Sequence, residues 1–233
     1  GDTYANRMPD PVLQQVEHFN NPGITANDAF KPVTKYFDRI LRPEQILQSL
    51  PHAIQTMLDP ADCGPACISL SQDVQGEVYE YPEEFFKEKI HNIRRPRPDD
   101  YQIKEAAEKI KKSENPIIIS GGGVFYSDAM EELSTFATKH NIPVTQTVMG
   151  YSTMKRDHSH FLGPIGGLGG RAANNFAKKT DLAIAVGTKL GDFTTGSWAN
   201  FENLNFGLVS VNVTRFDANK HMAQSVIGDA KVS

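Results

Sequence analysis

Apolar and polar positions along this chain switch between a helical and a strand period, and the switches mark its elements. Residues 42–58 place Ile46, Leu47, Leu50, Ala53, Ile54, Met57 and Leu58 at three- and four-residue spacings. That pattern predicts a helix with one apolar face, opened by Arg42-Pro43-Glu44 and ended by Asp59-Pro60. The β-branched and aromatic run at 32–40 predicts a short strand before it, and the compact apolar run at 66–70 predicts a buried strand after it. The three together form a βαβ unit. From 101 onward the alternation repeats. A helix is predicted over 101–112, a strand over 117–120, a helix capped by Ser127-Asp128 and running to about 140, and a strand over 142–148. A glycine-rich loop at 163–170, a helix over 171–179 and near-continuous apolar strands at 181–187 and 208–213 complete the series. Strands separated by helices imply an α/β fold with a parallel sheet covered on both faces.

Composition divides the chain. Between 76 and 100 it shifts to Glu, Lys, Arg and Pro, ending in Arg94-Arg95-Pro96-Arg97-Pro98-Asp99-Asp100, and the prolines bias their predecessors away from helix. We read 76–100 as a linker whose arginines form a solvated strap, with one piece over 1–75 and a second, self-folding one over 101–233. A net charge of −4 offers no basic footprint for nucleic acid, and no apolar run is long enough to span a membrane. No secretion signal is apparent, so a cytoplasmic location is the expectation. Cys63 and Cys67 are spaced neither as a redox pair nor as half a zinc site, and reduced thiols are expected, with Cys67 packed in a strand. The chain opens at Gly1-Asp2-Thr3 and closes at Lys231-Val232-Ser233, which reads as an excised portion of something larger.

Two glycine loops are candidates for chemistry. The run Ile117-Ile118-Ile119-Ser120-Gly121-Gly122-Gly123 puts a glycine turn after a strand and before a helix, where exposed amides favour an anion such as a pyrophosphate. The Gly-x-Gly-x-x-Gly fingerprint is not completed, because Tyr126 stands at the third glycine. Thr145, Gln146 and Thr147 also occupy the place of the acidic ribose ligand. NAD in the usual mode is thus disfavoured, and the glycines have a competing reading as close-packing positions. The loop with Gly166, Gly167, Gly169 and Gly170, and the strand-end segment from Gly187 through Asp192, are the other positions where a ligand of an open parallel sheet would gather. His158 and His160 lack further ligands, which favours a surface turn over a metal site. There is no Gly-x-Ser-x-Gly elbow and no phosphate-loop lysine.

The segments PIIISGGGV, IPVTQTVMGYSTMKRDHSHFLGPIGGLGGRAANNFAKKTDLAIAVGTKLGDFTTG and VIGDAKV together resemble the central domain of thiamine-diphosphate enzymes of the acetolactate-synthase group. RPEQ and GPACISLSQDVQ resemble the last helix and strand of their pyrimidine-binding domain, and residues 1–40 resemble the family of trihydroxycyclohexanedione hydrolases of myo-inositol catabolism. The resemblance implies a Rossmann-like (DHS-like NAD/FAD-binding) domain preceded by the end of a pyrimidine-binding domain. It also implies a parent enzyme that uses thiamine diphosphate and Mg²⁺ to open a cyclic diketone to 5-deoxyglucuronate, assembled as a homo-oligomer. In that family the cofactor-activating glutamate and the metal-binding segment are expected outside residues 1–233, so no catalytic or metal residue is carried over and the chain alone is expected to be inactive. Flavin-containing relatives use the loops matching Gly121–Gly123, Gly166–Gly170 and Gly187–Phe193. Here Gly191 replaces an Asp, and Asn212 and Thr214 replace an Asp-x-Asp pair. The resemblance therefore implies a relic nucleotide site, with FAD absent. Two alternatives stay open: a stand-alone adenine-nucleotide or FAD module, and an acetolactate-synthase-type decarboxylase.

Overall fold

A computed structural model describes residues 1–7, 18 and 20–233. The sequence-based reading of 1–40 falls partly on residues 8–17 and 19, which lie outside the described residues. Two compact units are present, Gly1–Ile93 and Arg94–Ser233.

In the first unit, β1 (Tyr36–Ile40) and β2 (Ala66–Leu70) pair in parallel across α1 (Ile46–Leu58). The βαβ unit is as expected, but β1 starts later. Residues Ala26–Val33 instead form 3₁₀ turns, entered through a capping box in which Thr25 and Asp28 satisfy each other's backbone amides. The 66–70 strand is less buried than its apolar run suggests, with only Ser69 fully inside, because the sheet among the described residues has two strands. Cys67 is half-buried in it, Cys63 is exposed, and both are free thiols. Arg39 ties the unit together. Its Nε donates to buried Asp2 at 2.7 Å, and Nη2 donates to Asp28 at 2.8 Å and Thr25 Oγ1 at 2.9 Å. Burial alone would raise the Asp2 carboxyl, yet hydrogen bonds from Ser69, Thr25 and Arg39 outweigh it and hold Asp2 below the ordinary carboxylate range.

The second unit is a six-stranded parallel sheet. Its strands are β3 (Pro116–Ser120), β4 (Val144–Gln146), β5 (Phe161–Pro164), β6 (Leu182–Val186), β7 (Gly207–Asn212) and β8 (Gln224–Ile227), in the order β5-β4-β3-β6-β7-β8. Counted from β3 this is 3-2-1-4-5-6, the order of dinucleotide-binding sheets, with its switch point between β3 and β6. Alternation within the strands feeds two cores. Ile118, Val144, Leu182 and Ile184 pack with α2 (Asp100–Lys112) and α4 (Met130–His140), whereas Ile117, Ile119, Ala183 and Ala185 pack with α5 (Arg171–Ala177). Both faces are thus covered, and buried strands need apolar side chains at every position. Helix α2 begins at an Asp99 cap accepting from Tyr101 N at 2.9 Å, and α4 ends at Asn141 in the left-handed conformation.

Several expectations change. Ser127 and Asp128 do not cap α4, which starts after Ala129 without a side-chain cap. A short helix α3 (Gly122–Tyr126) comes first, and both side chains turn to the chain end: Ser127 Oγ donates to Asp229 at 2.8 Å, and Asp128 pairs with Lys231 at 2.9 Å. Arg95 is no free strap residue either, since it pairs with the same buried Asp229 at 3.1 Å. The expected loop at 163–170 begins inside β5, an edge strand where Pro164 removes no ladder bond that the sheet needs. The strand expected over 142–148 is confined to β4, and the helix expected over 171–179 stops at Ala177. His158 and His160 lie in a surface turn, bonded to Ser134, Thr138 and Asn141.

Candidate functional site: the carboxyl edge of the parallel sheet

Open parallel sheets bind ligands outside their strand ends at the switch point. Here that place lies between the segments after β3 and β6, and the chain itself fills it. The Gly121 amide donates to Val186 O and the Gly123 amide to Gly187 O, both at 2.9 Å. Gly187 has φ +60°, and a Cβ on it would stand 2.5 Å from Gly123 Cα. A Cβ on Gly121 would overlap the Gly187 carbonyl. Gly122 faces the segment after β4, with a would-be Cβ 3.1 Å from Met149 O. The three glycines are therefore spaces for neighbouring backbone, and the amides of Gly121 and Gly123 are already spent on it.

The second loop is closed in the same manner. Gly167 N donates to Phe193 O at 2.8 Å, Gly169 N to Gly166 O at 2.8 Å, and Gly170 N to Pro164 O at 2.7 Å. Gly166, at φ +102°, would overlap the Phe193 carbonyl if it carried a Cβ. Asn174 clamps Gly166 from both sides, its Oδ1 accepting from the amide at 2.9 Å and its Nδ2 donating to the carbonyl at 3.0 Å. Nothing in the motif pattern singled out that asparagine. Asp192 opens α6 (Asp192–Thr195) and accepts from Ser197 Oγ at 2.7 Å, a local contact. Asn212, buried at the end of β7, donates to Thr188 O at 3.2 Å and accepts from Thr214 N at 2.9 Å, so it braces two strand-end loops.

The structure thus brings Gly121, Gly122 and Gly123 to Gly187 and Met149, and Gly166 and Gly167 to Phe193 beside Asp192. Missed by sequence reasoning are the Asn174 clamp and the buried Ser120–Thr153 hydroxyl pair at 2.6 Å, and of Gln146 it missed that the buried Oε1 has no protein partner. The hydroxyl pair depends on contacts between segments distant in sequence, and the clamp joins a loop glycine to the helix that follows it without any recognised motif. Among the described residues, no group of three His, Cys, Asp or Glu side chains is placed to hold a metal ion. No helix among them is long and apolar enough to cross a membrane. In the second unit a partly buried carboxylate displaced from its usual range sits at the opposite sheet end. Asp181, before β6, is desolvated, but bonds from Ser113 Oγ, Glu114 N and Asn115 N outweigh that and lower it.

Known proteins agree with this architecture. An enzyme from Mycobacterium smegmatis described as thiamin diphosphate-dependent superposes with a TM-score of 0.72 over 99% of this chain and 43% of its own, at 18% identity, which establishes the shared fold. A 3D-(3,5/4)-trihydroxycyclohexane-1,2-dione hydrolase from Clostridium perfringens strain 13 is 51% identical over 232 residues, and one from Shouchella clausii is 45% identical over 230. This chain spans 36% of the length of each. The family model for the thiamine pyrophosphate enzyme central domain matches residues 103–233, the sheet and glycine turns described above, and the chain belongs to that family.

Proposed function

We propose that this chain forms part of a thiamine-diphosphate- and Mg²⁺-dependent hydrolase that opens 3D-(3,5/4)-trihydroxycyclohexane-1,2-dione to 5-deoxyglucuronate in myo-inositol breakdown. The observation that carries the reading is 51% identity, over all of this chain, to a hydrolase named for that substrate. The overall reaction adds one water across the ring bond between the two carbonyl carbons, leaving a carboxylate at one end and an aldehyde at the other.

The described residues do not themselves fit the cofactor. They contain no metal-ligand cluster for its diphosphate, and their glycine turns are filled by backbone. We therefore assign the chain a framework part, with residues 1–75 as the end of a pyrimidine-binding domain, 76–100 as a linker and 101–233 as the central domain. Gly121, Gly122, Gly123, Gly166, Gly167, Gly169, Gly187 and Asp192 are, in this reading, the remains of a nucleotide site that holds no FAD, and the parent is a homo-oligomer.

The test is an assay of the full-length protein containing this chain, with thiamine diphosphate and Mg²⁺, against the cyclic diketone and against pyruvate. Loss of diketone with acid formation and no release of CO₂ from pyruvate is expected, and the 233-residue chain alone should do neither. Turnover of pyruvate without turnover of the diketone would replace the hydrolase reading by a decarboxylase.

A further inference from the structure

We propose that residues 88–94 are a flexible tether with both ends docked, so that the polar stretch over 76–100 consists of two fixed pieces and a short free one. The upstream piece belongs to the first unit and is held by rings. A 3₁₀ turn (Glu83–Phe86) brings Phe85 and Phe86 to Tyr81, each with its ring centroid 6.0 Å away, and Tyr79 meets Tyr81 at 5.0 Å. The Tyr81 hydroxyl donates to the carbonyl of buried Pro43 at 3.4 Å, which fixes the cluster just before α1. Lys87 closes the piece, its amide donating to Glu84 O at 3.4 Å and its ammonium pairing with the Glu84 carboxylate at 2.6 Å.

The downstream piece belongs to the second unit and is held by Asp229. Arg95 pairs with the buried Asp229 carboxylate at 3.1 Å, and the Asp229 amide donates to Pro96 O at 2.9 Å. Pro98 lies so close to Gly228 that a Cβ there would stand 2.6 Å from Pro98 Cδ, and Asp99 then caps α2. The same carboxylate accepts from Ser127 Oγ at 2.8 Å, so one buried side chain latches the incoming chain to the end of α3. Between the two docked ends the contacts stop. Every residue from Glu88 to Arg94 is exposed, and among the described residues none of them makes a hydrogen bond, ion pair or ring contact. Ile90 and Ile93 are 81% and 64% exposed, whereas a settled strap would turn such side chains inward. A segment with no buried apolar contact and no backbone partner except water opens at almost no cost. The chain passes from the first unit to the second within it.

The experiment is limited proteolysis of the 233-residue chain, with the cut sites read by mass spectrometry. A glutamyl endopeptidase sets Glu80, Glu83 and Glu84 of the upstream piece against Glu88 of the tether. Trypsin sets Lys89 of the tether against Arg94, whose cleavage requires Arg95 and Pro96 to leave Asp229. Cuts after Glu88 and Lys89 are expected first, about tenfold or more ahead of cuts after Glu80, Glu83, Glu84 and Arg94. Asp229→Ala should raise the rate after Arg94 by about tenfold and leave the rate after Lys89 unchanged, a local effect that a general loosening of the fold would not reproduce. Asp229→Asn keeps the shape of the side chain and tests the same latch with less risk to folding, and circular dichroism checks both variants. Cuts after Glu83 or Glu84 as fast as after Glu88, or after Arg94 as fast as after Lys89 in the unaltered chain, would overturn the docked ends. Resistance at Glu88 and Lys89 would overturn the tether. None of these outcomes depends on which substrate the parent enzyme opens.

Discussion

The Gly123 amide donates to the Gly187 carbonyl at 2.9 Å, and a Cβ on Gly187 would lie 2.5 Å from Gly123 Cα. The two strand-end segments that bracket the switch point of this sheet are therefore in direct backbone contact. A glycine turn placed where nucleotides bind is here part of the packing.

That contact sorts the glycines by cost. Gly187→Ala meets both a positive φ and a backbone overlap, and should cost more than about 3 kcal/mol. Gly121→Ala meets the overlap alone and should cost about 2–3 kcal/mol. Gly163→Ala has φ +93° but open space around it, and should cost about 1–2 kcal/mol. Gly191→Ala has neither problem and should be neutral or slightly stabilising. Urea unfolding of the four variants gives the order directly, and a harmless Gly121→Ala would mean that the turns are not in contact.

Asp181 makes stability depend on acid in a stated direction. Its carboxylate accepts from Ser113 Oγ at 2.5 Å, Glu114 N at 2.8 Å and Asn115 N at 3.0 Å, tying the turn before β3 to the start of β6. Because the folded value is lowered from 3.8, this contribution is fully present above about pH 4 and is lost as pH falls through the folded value. Asp181→Asn should destabilise by about 2 kcal/mol at pH 7, and the difference from wild type should shrink as pH is lowered past 3.8. A difference constant between pH 7 and pH 3 would show that the charge contributes nothing.

Asp229 closes the second unit. It is buried, accepts from Ser127 Oγ and Arg95 Nη1, and donates its own amide to Pro96 O at 2.9 Å. Asp229→Ala leaves a guanidinium without its partner and should cost about 3 kcal/mol, whereas Ser127→Ala should cost about 1 kcal/mol. Trypsin should also cut faster after Arg94 in the Asp229→Ala protein, the one bond there that is not blocked by a following proline. An unchanged cleavage rate would argue against this tie.

What could be read from the chain, and what could not, follows from the range of the interactions. The helix over Ile46–Leu58 and the strands Pro116–Ser120, Leu182–Val186 and Gly207–Asn212 declare themselves through local period, since a fully buried strand needs an unbroken apolar run. Strand Phe161–Pro164 is hidden by a Gly-Pro ending that only an edge position tolerates, and Gln224–Ile227 is too short and polar to stand out. Ser127-Asp128 has the form of a helix cap, yet its partners Asp229 and Lys231 lie about a hundred residues later. At the candidate site, the glycine positions were visible. Their mutual contact was not, because it arises only when separate strand ends are laid side by side, and the Asn174 clamp, though only eight residues from Gly166, matches no motif that would announce it.

The most direct test of the closed switch point is thermal unfolding of this chain with FAD, ADP, NAD and thiamine diphosphate plus Mg²⁺. A ligand at about a hundred times its dissociation constant adds roughly 2.7 kcal/mol, which moves the midpoint of a domain of this size by several degrees. The packed glycine contacts require no shift with any of the four. A midpoint that rises with FAD or ADP concentration would mean that the segments at Gly121–Gly123 and Gly187 part to admit a nucleotide, contradicting the account.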